Sequence, residues 1–150
     1  MRNLLNKKLK NEKGMTLIEL LAVIVILAII ALIAIPAIGN IISNSKSKAI
    51  LADATTIISG AKTAFADGAC EKENECNGTE LADFVEISGT ALVATDKVVK
   101  DGNKYTITYS AFANLNEKYS KKLGGTESTK VTSATQSKIA EAMGGKEETK

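Results

Sequence analysis

The chain has no histidine and no tryptophan, a single proline, and only three tyrosines and three phenylalanines among 150 residues. Without histidine it lacks the usual general base near neutral pH and the commonest metal-ligating side chain. Its two cysteines cannot supply a four-thiolate zinc site. No nucleophile stands beside a base and no glycine-rich loop is set to cradle a phosphate, so an enzyme is a poor reading. No cofactor and no metal are expected. The scarcity of aromatics narrows the catalytic options further. Charge has to be divided along the chain. The sequence carries a net +2, but Arg2, Lys7, Lys8, Lys10 and Lys13 crowd the first fourteen residues against Glu12 alone. The remainder has 14 basic and 16 acidic residues, a net of −2, and no general attraction for a polyanion.

What is present in excess is apolar sequence. Leu20 to Ile38 is a run of nineteen residues without a charged or polar side chain. At about 1.5 Å per residue that approaches the hydrocarbon thickness of a bilayer. Basic residues before it hold that end in the cytoplasm and send the rest of the chain outward. Glu19 is a carboxylate at the edge of this run, where an ionisable group is costly unless it has a partner. Proteolysis at Gly14 would provide one, because the new amine of Met15 lies about one helical turn before Glu19. If many copies packed side by side, the Glu19 of one could equally neutralise the Met15 amine of its neighbour. A subunit without the carboxylate would then leave a charge unpaired in an apolar bundle.

Lys13-Gly14-Met15-Thr16-Leu17-Ile18-Glu19-Leu20-Leu21, the apolar run and Pro36 together resemble the class III signal of type IV pilins and pseudopilins. The resemblance covers about the first quarter of the chain. It implies that Gly14 precedes the prepilin peptidase cut, that Met15 becomes an N-methylated terminus, and that Glu19 acts in assembly as the fifth mature residue. Pro36 matches the helix-kinking proline of the family. Met15 departs from the phenylalanine most often found there, which bears on the efficiency of processing. An ordinary secretory signal would place its cut after a shorter apolar region; Ala37-Ile38-Gly39 offers the small-x-small spacing, and Glu19 weighs against it. The expected organisation is a cytoplasmic leader over 1–14, a transmembrane and filament-core helix over 15–39, and an amphipathic stem half with a globular head over 40–150.

Pro36 predicts a kink, and in the family the segment before that proline, here holding Ala28, Ala31 and Ala34, can unwind in the filament. Beyond Asn40 the pattern becomes amphipathic, with Ile50, Ala54, Ile57, Ile58, Ala61 and Phe65 at steps of three and four and Lys46, Lys48, Asp53 and Lys62 elsewhere. Asp67-Gly68 ends the helix. Strand signals follow at Phe84 to Ser88, Ala91 to Thr95, Val98 to Lys100 and Lys104 to Ser110, with Asp101-Gly102 as a hairpin turn. Short helices are expected over Ala111 to Leu123 and Thr135 to Met143, each stopped by a glycine pair. Tyr105 and Tyr109 read as packing residues.

Cys70 and Cys76 fall in the exterior part, where oxidation is permitted, and predict a small disulfide loop. Between and after them Glu71, Glu73, Glu75, Glu80, Asp83 and Glu86 form an acidic patch. A calcium site is conceivable, but the glycine-punctuated loop of a dedicated one is absent and a solvated loop is favoured. A zinc or thiol-exchange reading is weaker, with five residues between the cysteines. Residues 97–150 carry ten lysines against six acids, so the head is electrically two-sided.

The expected fold is α+β: a long N-terminal helix, apolar first and amphipathic second, packed on a small antiparallel sheet with short C-terminal helices. Taken together these readings predict a structural pilin subunit and not an enzyme. It would be held in the cytoplasmic membrane with its head outside and then polymerised as a homo-oligomer into an extracellular filament. The resemblance implies prepilin peptidase, an assembly motor and a platform as partners. Two alternatives stay open: a pseudopilin of type II secretion or competence DNA uptake, and a single-pass anchored binding protein. Against the secretion pseudopilin stands a C-terminal region that is lysine-rich where that family carries calcium-binding carboxylates.

Overall fold

A computed structural model describes residues 2–126 and 128–145, with side chains from Thr16 onward. The chain forms two compact units, residues 1–42 and 43–150. Helix α1, Arg2–Asp67, contributes all of the regular structure of the first and the longest element of the second. It continues through Pro36 without a break in its assignment.

In the second unit α1 is followed by β1 (Glu75–Asn77), α2 (Gly78–Leu81), β2 (Lys97–Asp101), β3 (Lys104–Thr108), α3 (Glu117–Lys122), β4 (Ser133–Thr135) and α4 (Gln136–Ala142). The four strands form one antiparallel sheet in the order β1-β2-β3-β4. Its register places Cys76, Val98, Ile107 and Ala134 in one lateral row, each directly opposite the next, and all four are buried. Alternation along a strand puts such a row on one face. The α1 stripe meets it: Leu51, Ala54, Ile57, Ile58, Ala61 and Ala64 are buried in the same core, with Ile50 and Phe65 at its margin. Fully burying an isoleucine or leucine contributes about 1.5–3 kcal/mol, so Leu51, Ile57 and Ile58 alone carry much of this interface.

Helix α1 stops as its glycine demands. Gly68 has φ 68°, Ala69 N–H donates to the Ala64 carbonyl at 3.0 Å and Gly68 N–H to that of Phe65 at 3.4 Å, the paired bonds of a left-handed C-terminal cap. Gly124 and Gly144 close α3 and α4 in the same manner.

Two of the expected strands are absent. Phe84 to Ser88 and Ala91 to Thr95 do not pair; Phe84 ends a short 3-10 helix and the rest is irregular. Their apolar residues Phe84, Val85, Ile87 and Leu92 lie against the core without strand partners, because this segment crosses directly over α1. A side chain at Gly60 would strike Val85 and the Phe84 carbonyl, and one at Gly89 would strike the Asp53 carboxylate. The expected helix over Ala111 to Leu123 is two pieces, a 3-10 turn at Ser110–Asn114 and α3. Asn116 separates them: its Oδ1 caps α3 by accepting from Tyr119 N–H at 3.1 Å. Its amide donates to Asn44 Oδ1 at 2.9 Å and Ser43 Oγ at 3.3 Å, and its backbone N–H to buried Ser47 Oγ at 3.0 Å, which fastens α3 to α1.

Candidate functional site

The first candidate site is linear. Every large apolar side chain from Leu17 to Ile42 is about half exposed or more, from 49 % at Val25 and Ile42 to 76 % at Leu32. An apolar surface of that extent requires lipid or another apolar partner. Within Thr16–Asp67 lies a stretch long and apolar enough to cross a membrane by length and composition. Glu19 is exposed on this helix, and Pro36, Ala28, Ala31 and Ala34 fall inside it. Gly14 and Met15 fall inside α1, and the Met15 side chain lies outside the described residues.

The second candidate is the acidic loop. Cys70 and Cys76 are disulfide-bonded, with Cα atoms 4.9 Å apart, so neither sulfur is a free thiolate. Glu80 organises the loop: one carboxylate oxygen accepts Glu71 N–H at 2.9 Å and the other Asn77 N–H at 2.7 Å, the residues that follow the two cysteines. Asn77 in turn caps α2 through Thr79 and Glu80 N–H, completing a reciprocal capping box. Glu75 pairs with Lys72 at 2.7 Å and Lys97 at 2.9 Å. Hydrogen bonds from these two ammonium groups hold its carboxyl below the ordinary glutamate range, and Glu75 raises Lys72 in return. The carboxylates that a cation would have to recruit from Glu75 and Glu80 are thus already engaged by the chain itself. The arrangement closes a loop through the disulfide, the two Glu80 bonds and the two Glu75 pairs.

A third feature carries no sequence motif. Asp96 is 2 % exposed and accepts from Val93 N–H at 3.1 Å, Ser110 N–H at 2.8 Å and Ser110 Oγ at 3.2 Å. Its carbonyl accepts Gly78 N–H at 2.7 Å, where a side chain on Gly78 would collide with the Val93 carbonyl. Asp96 thereby knots the irregular segment to α2 and to the end of β3. Only its place just before β2, after Thr95, marks it in the sequence as a turn residue. Beside it Tyr109 is buried, donating its hydroxyl to the Thr90 carbonyl at 2.7 Å and meeting Phe112 edge to face at 5.6 Å. Tyr105 packs on Phe65 at 6.4 Å with Lys62 over its ring. Both tyrosines are packing residues.

No curated protein and no solved structure is matched by the chain. A family model does match: the prokaryotic N-terminal methylation motif, over residues 9–35. The match contains Gly14, Met15 and Glu19 and stops one residue short of Pro36. It points to a structural, pilin-like protein rather than an enzyme, and implies prepilin peptidase processing and polymer assembly. With the apolar helix, it supports anchoring in a membrane before assembly. The chain thus carries at residues 9–35 the methylation motif that is the class III signal of type IV pilins and pseudopilins.

Proposed function

We propose that this chain is a structural subunit of a type IV pilus. It is cut between Gly14 and Met15, N-methylated at Met15, and polymerised through its apolar helix into a filament that displays the head. The observation that carries the reading is the coincidence of the methylation motif with a helix whose apolar side chains stand exposed over Leu17 to Ile42. Moving such a helix from lipid into a helix bundle exchanges one apolar environment for another. Close packing and a Glu19 carboxylate paired with a Met15 amine then decide which bundle forms.

Before assembly the leader lies in the cytoplasm, the helix in the cytoplasmic membrane and the head outside. The partners are prepilin peptidase, a motor and platform, and further copies of the chain. Glu19 sets register, and Pro36 marks the part of the helix able to bend or unwind in the filament.

The test is the N-terminal mass of protein sheared from cells as filaments. A terminus at methylated Met15 supports the proposal, whereas a terminus at Met1 means an anchored protein that keeps its leader. A protein that is processed but absent from the sheared fraction would place it among the pseudopilins.

A further inference from the structure

Six exposed lysines gather at one end of the head. The second compact unit begins at Ser43, and Lys46 and Lys48 stand exposed on the first turns of α1 within it. Asn116 ties the start of α3 to this same end through Ser43, Asn44 and Ser47. Lys118, Lys121 and Lys122 of the short α3 are therefore held beside them, exposed. Lys138 of α4 joins the group, its Nζ 3.3 Å from where a side chain on Gly124 would begin, and Lys122 Nζ bridges α3 to α4 by donating to the Ala142 carbonyl at 3.1 Å. The acids on these elements are few: Glu117, already paired with Lys121, Glu141, and half-buried Asp53.

The far end of the head carries no such excess of lysine. Helix α1 stops at Asp67, about 36 Å from Ser43 at 1.5 Å per residue. There Asp67, Glu71, Glu73, Glu75 and Glu80 cluster, and the β2–β3 hairpin joins them through Lys100 N–H to the Asn74 carbonyl at 2.9 Å. Lys62, Lys72, Lys97, Lys100 and Lys104 share this end, Lys72 and Lys97 paired with Glu75 and Lys104 opposite Asp101, so acids and lysines nearly balance there. The head is basic where α1 enters it and close to neutral where α1 leaves it.

We infer that the lysine cluster of Lys46, Lys48, Lys118, Lys121, Lys122 and Lys138 is a membrane-facing surface that seats the head on the phosphodiester headgroups of anionic lipid before assembly. The inference rests on the membrane-anchored reading above. The apolar residues end at Ile42 and the cluster begins four residues later, so covalent continuity keeps these ammonium groups at high effective concentration near the headgroups. Lysines within a Debye length of an anionic surface are attracted additively, and the far end has no comparable excess of lysine, so one orientation of the head is selected. The acidic loop of a second copy is the competing occupant. It lacks that enforced proximity.

The test reconstitutes the full-length chain into vesicles of phosphatidylcholine alone or with phosphatidylglycerol, and labels lysines with a membrane-impermeant acylating reagent. Rates are read peptide by peptide from mass. Lys118 and Lys122 are expected to react about threefold more slowly, or slower still, on the anionic vesicles, with the difference erased by about 0.5 M salt. Lys72 and Lys104 serve as the unchanged reference. Replacing Lys46 and Lys48 with glutamine should weaken the protection of Lys118 while leaving the circular dichroism spectrum as it was. Equal rates on the two vesicles, with the protein floating with both, overturn the inference and leave anchoring intact. Failure to float with either overturns both. Protection that follows the protein-to-lipid ratio and ignores phosphatidylglycerol assigns the surface to a second copy and overturns the inference as well.

Discussion

The Asp96 carboxylate holds Ser110 at both of its donors, taking the backbone N–H at 2.8 Å and the hydroxyl at 3.2 Å. Val93 N–H is the third donor, at 3.1 Å. Removing the acceptor leaves these groups without partners in a closed site, and the loss is set by their desolvation more than by the bonds themselves. Asp96→Ala should destabilise the head by about 3 kcal/mol, and Asp96→Asn, which keeps one acceptor oxygen, by roughly half of that. Denaturant unfolding of the two variants in detergent, followed by circular dichroism, checks the order; equal stabilities for wild type and Asp96→Ala would refute the role given to the knot.

Gly60 sits inside α1, where glycine costs about 1 kcal/mol relative to alanine. That cost is outweighed here, because a side chain at this position would meet Val85 and come within 2.7 Å of the Phe84 carbonyl. A backbone oxygen cannot rotate away as a side chain can. Gly60→Ala should therefore lose about 1–2 kcal/mol despite its better helix propensity, overpacking being the larger effect. A rise in thermal midpoint for this variant would show that the irregular segment gives way easily.

Burial, followed by the charges of Asp53 and Asp96, pushes the Tyr109 phenol up to about 12. A group raised in this way stabilises the folded chain fully below its ordinary value of 10.0, and that contribution is lost as pH rises toward about 12. Absorbance titration near 295 nm should show one tyrosine ionising late, together with an alkaline fall in stability. In Tyr109→Phe both should vanish, at a cost of about 1 kcal/mol at neutral pH for the bond to Thr90. A titration with no late step that is lost in Tyr109→Phe would contradict the buried placement.

Glu19 stands in the exposed apolar helix, and its proposed partner is an amine created by cleavage. Glu19→Ala should leave membrane insertion unchanged, since it removes a charge from the lipid boundary. Filament yield should fall by about tenfold or more, because an unpaired ammonium would then enter the bundle. Comparing sheared and membrane fractions measures both quantities at once. Unchanged filament yield would overturn the pairing of Glu19 with the Met15 amine.

The long helix, its glycine stop, the stripe through Ala54, Ile57, Ile58 and Ala61, the Asp101-Gly102 hairpin and α4 were all legible in the sequence, because each is specified by residues close together along the chain. The methylation signal was legible for the same reason. β1 and β4 were not. Each is three residues long and sends only one small residue inward, Cys76 or Ala134, so no alternation announces it and the pairing is imposed by β2 and β3. Phe84 to Thr95 misled in the other direction. Its apolar residues serve a segment laid across Gly60 and Asp53, and its backbone is secured by Asp96 instead of by a neighbouring strand. Burial without pairing cannot be distinguished from a strand by pattern alone.

The two halves of the disulfide do unequal work. Cys76 occupies the buried row with Val98, Ile107 and Ala134, whereas Cys70 lies at the half-buried margin. Reduction would release a five-residue loop and forfeit about 2 kcal/mol of chain entropy, yet the Cys76 sulfur would remain in place as a small apolar group and no void would open. The interior of the head therefore does not depend on the disulfide, and oxidation tightens a form that is already built.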